Sequence, residues 1–411
     1  MLYRTDKVSG NKISNLSFGC MRFPMSAQKI EELIMHAIER GVNYFDTAWI
    51  YSGNEEMLGT ILAKNKVREK VYIATKMPLI LLKSTSESVD FDKYLNQSLE
   101  RLKTDYIDYY LLHMITDMEQ WGRLKRWGIT EWIEQKKKAG KIKQIGFSFH
   151  GSGSDFLEVI EDYDWELATI QYNYFDENFQ AGVRGLRAAA KKMPVIAMEP
   201  LLGGKLATGL PKDVVKIFKD ANADLFSKGS PSDSLPSKGW TPAGWALNWL
   251  WNQGEVTSVL SGMNSMDQLK ENLLLSESAH EGMLSDKHKG VYKSVLESLK
   301  RTCKVRCTGC GYCMPCPAGV NISGSFSAYN AVYSMGYIEG IKQYAMSSGL
   351  TQVKSGSPDL CTECGKCEPL CPQKISIIKE LKVVHKKLEP WFIKLVGIII
   401  RSSLGKKRKK R

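Results

Sequence analysis

The stretch IEELIMHAIERGVNYFD, residues 30–46, carries the reading that decides the fold. Ile30, Leu33, Ile34, Ala37 and Ile38 recur at the 3.6-residue period of an amphipathic helix. Gly41 stands where a helix ends in a left-handed residue, and Asn43–Phe45 is a short β-type run with Asp46 just after it. The same unit recurs along the chain. Further β candidates are Ser17–Cys20, Val71–Thr75, Tyr106–Leu112, Ile142–Phe147, Leu167–Gln171, Pro194–Met198 and Thr257–Leu260, with helix-period segments between them. Eight strands in alternation with helices predict an α/β fold, an eight-stranded (β/α)8 TIM barrel, over residues 1–285. A doubly wound sheet is the rival, but no Gly-x-Gly-x-x-Gly follows the first strand. Residues 208–240, with Gly229-Ser230-Pro231-Ser232 and Ser234-Leu235-Pro236-Ser237-Lys238-Gly239, read as a long loop or lid with a little helix. A helix over 286–302 leads out of the barrel.

Nine of the ten cysteines fall between Cys303 and Cys371. One run is Cys307-Thr-Gly-Cys310-Gly-Tyr-Cys313-Met-Pro-Cys316-Pro317, the other Cys361-Thr-Glu-Cys364-Gly-Lys-Cys367-Glu-Pro-Leu-Cys371-Pro372. Two-residue spacers let successive thiolates reach different irons of one cubane, and a fourth cysteine before proline serves the other cluster. Residues 303–385 therefore read as a helical, ferredoxin-like domain with two [4Fe–4S] clusters. Cys307, Cys310, Cys313 and Cys371 would hold one, and Cys361, Cys364, Cys367 and Cys316 the other. The first run departs by having two residues, not three, before its last cysteine. Two zinc sites are the alternative, but four cysteines per run, each run ending in Cys-Pro, favour iron–sulfur. Cys303-x3-Cys307-x2-Cys310 mimics a radical-enzyme cluster motif, yet it lies after the barrel and borrows from the better run. Cys303 reads as a spare thiol and Cys20 as a buried small side chain. Phe326, Tyr329, Val332, Tyr333, Tyr337, Ile338 and Ile341 suggest one helix packing the clusters' apolar shell.

The formal charge is +13, from 57 basic and 44 acidic residues; seven of the basic residues lie in the last eleven, leaving +6 elsewhere. The basic character is thus local and argues against a nucleic-acid-binding body. Segment 386–411 joins an apolar stretch, from Glu389 to Ile400, to that basic tail. A docked helix with a solvated tail is the plain reading; contact with an anionic membrane surface is the other. The opening MLYRTDKVSGNK has no apolar core for a signal peptide, and no run reaches the length of a membrane span, which predicts a cytoplasmic protein.

A β/α barrel carries its chemistry just after its strands. Asp46 and Tyr51 follow the second strand, Lys76 the third and His113 the fourth. A tyrosine is a weak acid unless a cation lowers its pKa. Lys76 is placed to supply that charge, Asp46 to hold the ammonium, and His113 to meet an oxygen on which negative charge develops.

These segments, Phe45-Asp46-Thr47-Ala48 to Tyr51, Thr75-Lys76 and Leu112-His113, resemble the aldo-keto reductase family over roughly residues 1–280, and the whole chain is similar to its iron–sulfur-fused branch. The resemblance implies NAD(P)H-linked reduction of an aldehyde or ketone, or the reverse, on a small carbonyl or alcohol substrate. It also implies that Ser148 and Gln171 touch the nicotinamide amide, that Pro200 and Leu201 contact the cofactor, and that Asn264, Gln268, Glu271 and Asn272 lie along the adenosine half. The chain departs from the family at Ser148-Phe149, where Ser-Asn is common. Met198-Glu199-Pro200 stands where an aromatic precedes Ser-Pro-Leu, and Gln268 where many members have arginine for the 2′-phosphate. NADP and NAD both stay open. The clusters would carry electrons, with a redox partner protein, or serve structure. The alternative is an electron-transfer protein whose barrel is mainly a docking or regulatory body.

Overall fold

The computed structural model describes residues 1–23, 26–82, 89–226, 239–301, 304–307, 309, 313–348, 355–371 and 373–389. Cys303, Cys310, the Gly/Ser/Pro-rich stretch 227–238 and the tail from 390 onward lie outside the described residues.

The unit quoted above folds as read. The helix Ala27–Glu39 starts at Ser26, whose side chain accepts the Lys29 N–H, and buries Ile30, Leu33, Ile34 and Ala37. It ends at Gly41, where a φ of 91° lets its N–H reach Ile38 O at 2.9 Å and the Val42 N–H reach Ala37 O at 2.9 Å. The chain then enters a strand.

An antiparallel hairpin, β1 (Tyr3–Thr5) and β2 (Lys12–Ser14), precedes the barrel. The barrel strands are β3 (Leu16–Gly19), β4 (Tyr44–Asp46), β5 (Tyr72–Met77), β6 (Ile107–Ile115), β7 (Ile142–Phe149), β8 (Leu167–Gln171), β9 (Val195–Met198) and β10 (Ser258–Ser261). They form a closed barrel, β10 pairing with β3 in parallel register with Val259 opposite Leu16. Each expected strand is found, shifted by a few residues at its ends. The hairpin was not foreseen. Ile13, Tyr44, Ala74, Tyr109, Leu111, Leu167 and Ile196 fill the lumen. The hairpin floors it: Tyr109 Oη donates to the fully buried Asp6 at 2.9 Å and accepts from Asn11 Nδ2 at 3.0 Å.

Helices cover the outer strand faces, and one contact is tight enough to test. A Cβ added at Gly59, in the helix Asn54–Lys64, would lie 2.5 Å from the Leu102 backbone. Gly59→Ala is expected to cost about 1–3 kcal/mol through overpacking, measured by chemical denaturation; an unchanged midpoint would contradict the packing.

Two sequence expectations need correction. The region from 208 holds a 14-residue helix, Lys212–Leu225, where a loop with little helix was expected. Val214 and Phe218 are buried in the main core, with Ile217, Ala221 and Leu225 packed against it, a stripe masked by the Gly/Ser/Pro-rich run that follows. The aromatic segment forms two helices, Ile322–Ser334 and Tyr337–Ser347, because Gly336 breaks the run at a φ of 93°. Phe326 and Tyr329 are buried, whereas Ile338 is 84% exposed.

The helix Asp286–Arg301 leads to the cysteine-rich region. There a second core of Val305, Val320, Ile322, Phe326, Tyr329, Tyr344, Ile377, Leu381, Val384 and Leu388 joins those two helices to Ile377–Leu388. Asn330 pins the entering chain, its Oδ1 accepting the N–H groups of Lys304 and Val305 at 2.9 and 3.0 Å. Among the described residues no helix is long and apolar enough to cross a membrane.

Candidate active site and cluster-binding site

The ladder between β4 and β5 runs on past the strands. Thr47 N–H donates to Ala74 O at 2.8 Å and Trp49 N–H to Lys76 O at 3.3 Å. Tyr51 then sits on a turn closed by Tyr51 N–H to Ala48 O (2.9 Å) and Asn54 N–H to Tyr51 O (3.0 Å). Lys76, 2% exposed, forms an ion pair with Asp46, 3% exposed, and donates to Thr47 O at 2.7 Å. Its Nζ lies 5.5 Å from the centre of the Tyr51 ring. The His113 ring meets Tyr51 edge-on at 6.0 Å. The four strand-end residues therefore converge.

Their electrostatics follow from burial. Burial would lower the Lys76 ammonium, but Asp46 and Tyr51 outweigh it and raise its pKa. Burial, Lys76 and His150 hold His113 well below the usual histidine value, so its imidazole is neutral. For Tyr51 the sequence expectation was a hydroxyl made more acidic by Lys76. Burial outweighs the lysine and raises the pKa, leaving a protonated phenol beside an ammonium. Cys20, fully buried near this group, has its thiol pushed well up by burial and then by Asp46, which makes it a poor nucleophile.

Around the cluster of four, the positions expected to meet a dinucleotide divide. A β-bulge between Leu112 and Ile115 puts Met114 at a φ of 66°, and its N–H donates to Ser148 Oγ at 2.8 Å. Because Ser148 accepts there, its own hydroxyl hydrogen is free to donate. Gln171, 2% exposed, is held at both ends, Nε2 donating to Asp176 Oδ2 at 3.3 Å and Oε1 accepting from Gln180 Nε2 at 3.1 Å. Pro200 and Leu201 begin the turn after β9. Asn264 and Gln268 lie exposed at the start of the helix Met266–Ser278, joined by Asn264 N–H to Gln268 Oε1 at 3.1 Å. Glu271 accepts from Thr241 Oγ1. Asn272 is buried and donates to Ser261 Oγ at 3.0 Å, fastening that helix to β10.

His113 Nδ1 and Asp46 Oδ2 are buried without a hydrogen-bond partner among the described residues. Orphaned polar atoms of that kind fit a site completed by a bound polar group.

Sequence reasoning missed the groups surrounding Gln171. Asp176, 4% exposed, is raised to about 7 by burial and by Glu199 and Glu339, against the pull of Gln171 and Lys342. His150 is pushed down to about 4, chiefly by burial. Lys342, from the cysteine-rich region, clamps both oxygens of Glu199 at 2.9 Å. An Asn173-x-x-Asp176 turn signal was readable after β8; nothing in the sequence announced Lys342.

In the cysteine-rich region Cys316, Cys361, Cys364 and Cys367 rim one cavity of about 190 Å³, together with Cys313 and apolar groups including Pro317, Ile322, Leu370 and Leu381. Cys307, Cys313 and Cys371 pack against the same core. The Gly309 N–H lies 3.4 Å from Cys307 Sγ, the backbone donor to sulfur that tunes an iron–sulfur ligand. Cys20, Cys316, Cys361, Cys364, Cys367 and Cys371 are free thiols. Clustered thiols in an apolar shell suit an iron–sulfur group.

Residues 15–281 match the model of the aldo/keto reductase family, and residues 306–376 match that of a 4Fe-4S dicluster domain. L-galactose dehydrogenase from Arabidopsis thaliana is 28% identical over 288 residues, covering 64% of this chain and 85% of that protein. L-glyceraldehyde 3-phosphate reductase from Escherichia coli is 26% identical over 309 residues, 66% of this chain and 87% of that protein. Among solved structures, an aldo-keto reductase from Bacillus halodurans in its holo form superposes with a TM-score of 0.57 at 24% identity, covering 72% of this chain and 96% of that one. At that identity the superposition speaks for the fold alone.

Proposed function

The chain belongs to the aldo/keto reductase family, and from that premise we propose that its barrel reduces an aldehyde or ketone with NADPH or NADH, or runs the reverse, at Asp46, Tyr51, Lys76 and His113. The observation that carries the reading is the buried Asp46–Lys76 ion pair lying against the Tyr51 ring. When bound, the reduced nicotinamide supplies a hydride to the carbonyl carbon. Tyr51 gives its phenolic proton to the carbonyl oxygen. The Lys76 ammonium stabilises the phenolate left behind, and Asp46 keeps that ammonium in place. The neutral His113 donates its ring N–H to the same oxygen. Ser148 and Gln171 hold the carboxamide of the ring. Pro200, Leu201, Asn264, Gln268 and Glu271 border the rest of the dinucleotide, while Asn272 positions the helix that carries Gln268 and Glu271.

Cys361, Cys364, Cys367 and Cys316 would hold one [4Fe–4S] cluster in the C-terminal domain, and Cys307, Cys310, Cys313 and Cys371 would hold the other. The shared cavity rimmed by Cys316 and the second run supports the crossed pairing. When bound, such clusters would supply one-electron transfer, for which a redox partner protein would be the acceptor or donor. In a reconstituted protein Cys316→Ser is expected to lose about half of the bound iron, read as iron and acid-labile sulfide per chain, whereas Cys20→Ser keeps it all. Full iron retention in Cys316→Ser would break the pairing.

The function is tested by anaerobic titration of the cluster-loaded protein with each dinucleotide, with and without a panel of aldehydes and ketones. Carbonyl-dependent loss of the nicotinamide absorbance supports the reductase. Cluster bleaching without any carbonyl, and no turnover with one, would replace it with the electron-transfer reading.

A further inference from the structure

The helix Tyr337–Ser347 of the cysteine-rich domain reaches the open end of the barrel at two points. Lys342 clamps the Glu199 carboxylate just after β9, at a residue whose φ is 53°. The next residue, Gln343, is 2% exposed and donates from Nε2 to Asp176 Oδ2 at 3.4 Å. Asp176 is itself fixed by the Asn173 side chain, whose Oδ1 accepts the N–H groups of Phe175 and Asp176 at 3.1 and 2.9 Å. The same Oδ2 accepts from Gln171. One carboxylate oxygen thus bridges an amide of the cluster domain and the amide at the end of β8.

An amide side chain has two faces of opposite chemistry, and an unanchored glutamine presents either. An ionised carboxylate only accepts, so Asp176 in that form selects the Gln171 rotamer with Nε2 toward itself. Gln180 Nε2, a donor, enforces the same choice on Oε1. The remaining lone pair of Oε1 is then available for an N–H of the bound ring. Ser148, already accepting from Met114, has its hydroxyl hydrogen for the carbonyl oxygen of the same carboxamide.

We propose that the cluster domain is a working part of the nicotinamide pocket: Gln343, acting through Asp176, is a positioning residue that fixes the Gln171 amide to read the ring carboxamide, with Lys342–Glu199 fastening the helix that brings it. The proposal rests on the reading that Gln171 meets that carboxamide. It makes dinucleotide affinity depend on a residue of the cluster domain that touches neither dinucleotide nor cluster ligand.

The test uses full-length, cluster-loaded protein under anaerobic conditions. Dissociation constants are measured for whichever of NADPH and NADH the wild type binds more tightly, and for its 3-acetylpyridine analogue, which keeps the carbonyl oxygen but lacks the amide N–H. Gln343→Met, close in shape but without the amide, is expected to weaken the natural dinucleotide about five- to tenfold. It should leave the analogue within about twofold, and add nothing in a Gln171→Ala background. Asp176→Leu approaches the bridge from the barrel side and should repeat the pattern, with iron content reporting that each variant has assembled. Equal weakening of both nucleotides would show a docking role only and overturn the proposal, as would unchanged affinity for both. A wild type that binds neither dinucleotide overturns the functional reading and the proposal with it. A wild type that binds, with an insensitive Gln343→Met, overturns the proposal alone.

Discussion

Tyr51→Phe is expected to lower kcat for carbonyl reduction by about 10²–10⁴-fold, the range a positioned general acid contributes. The substitution removes one oxygen and leaves the ring, so the Lys76 and His113 contacts to that ring persist. Dinucleotide affinity should stay within about twofold, because the hydroxyl serves the transition state and not the ground-state cofactor. Steady-state kinetics beside a direct binding measurement separates the two. Retained turnover would remove Tyr51 from the reaction; lost binding would mean that it shapes the pocket. The Tyr51 pKa, raised by burial against the pull of Lys76, makes the phenol a donor that stays protonated through the neutral range. Carbonyl reduction should therefore hold its rate there and decline only when alkali removes the proton.

Lys76→Met should be the most destabilising of the changes considered. It takes the ammonium from a pair whose members are 2% and 3% exposed and strands a buried carboxylate. Breaking such a pair from one side costs about 3–5 kcal/mol. The loss should depend on pH. In the variant, burial raises the Asp46 pKa in the fold above its unfolded value of about 3.9, so the folded state binds the proton more tightly. Stability is then fullest at low pH and is lost as pH rises through the raised value. Denaturation midpoints at about pH 6 and about pH 8 should show the larger deficit at the higher pH, and the double change Asp46→Leu with Lys76→Met should recover part of it. A deficit under about 1 kcal/mol at both values, as small as that of a surface pair, would mean that the pair is no part of what holds these strand ends.

The barrel was legible because each strand is a short apolar run between a helix-period segment and a turn, and each unit reads locally. The residues at the strand ends inherited that legibility: Asp46, Lys76 and His113 lie at or within two residues of the ends of their strands, so placing the strand places the side chain. The helix Lys212–Leu225 was obscured by its neighbour, since a run of glycine, serine and proline drew the whole interval into one loop. The split at Gly336 was lost because the aromatic spacing continues across it by coincidence of period. The Lys342–Glu199 and Gln343–Asp176 contacts had no local signature at all. They join residues 143 and 167 positions apart, on two domains, and each partner alone reads as an ordinary solvated side chain. The burial of Tyr51 was equally invisible, because a sequence shows which charge is near but not how much water has gone.

The hairpin Tyr3–Thr5 and Lys12–Ser14, stoppered by Asp6 and Tyr109, closes one end of the barrel. In the proposed reaction dinucleotide and carbonyl compound would both enter from the other end, and whatever enters last would stand in the way of whatever entered first. Such a vestibule imposes a queue. Turnover should follow an ordered sequence, with the dinucleotide first in and last out, and the carbonyl compound exchanging in front of it.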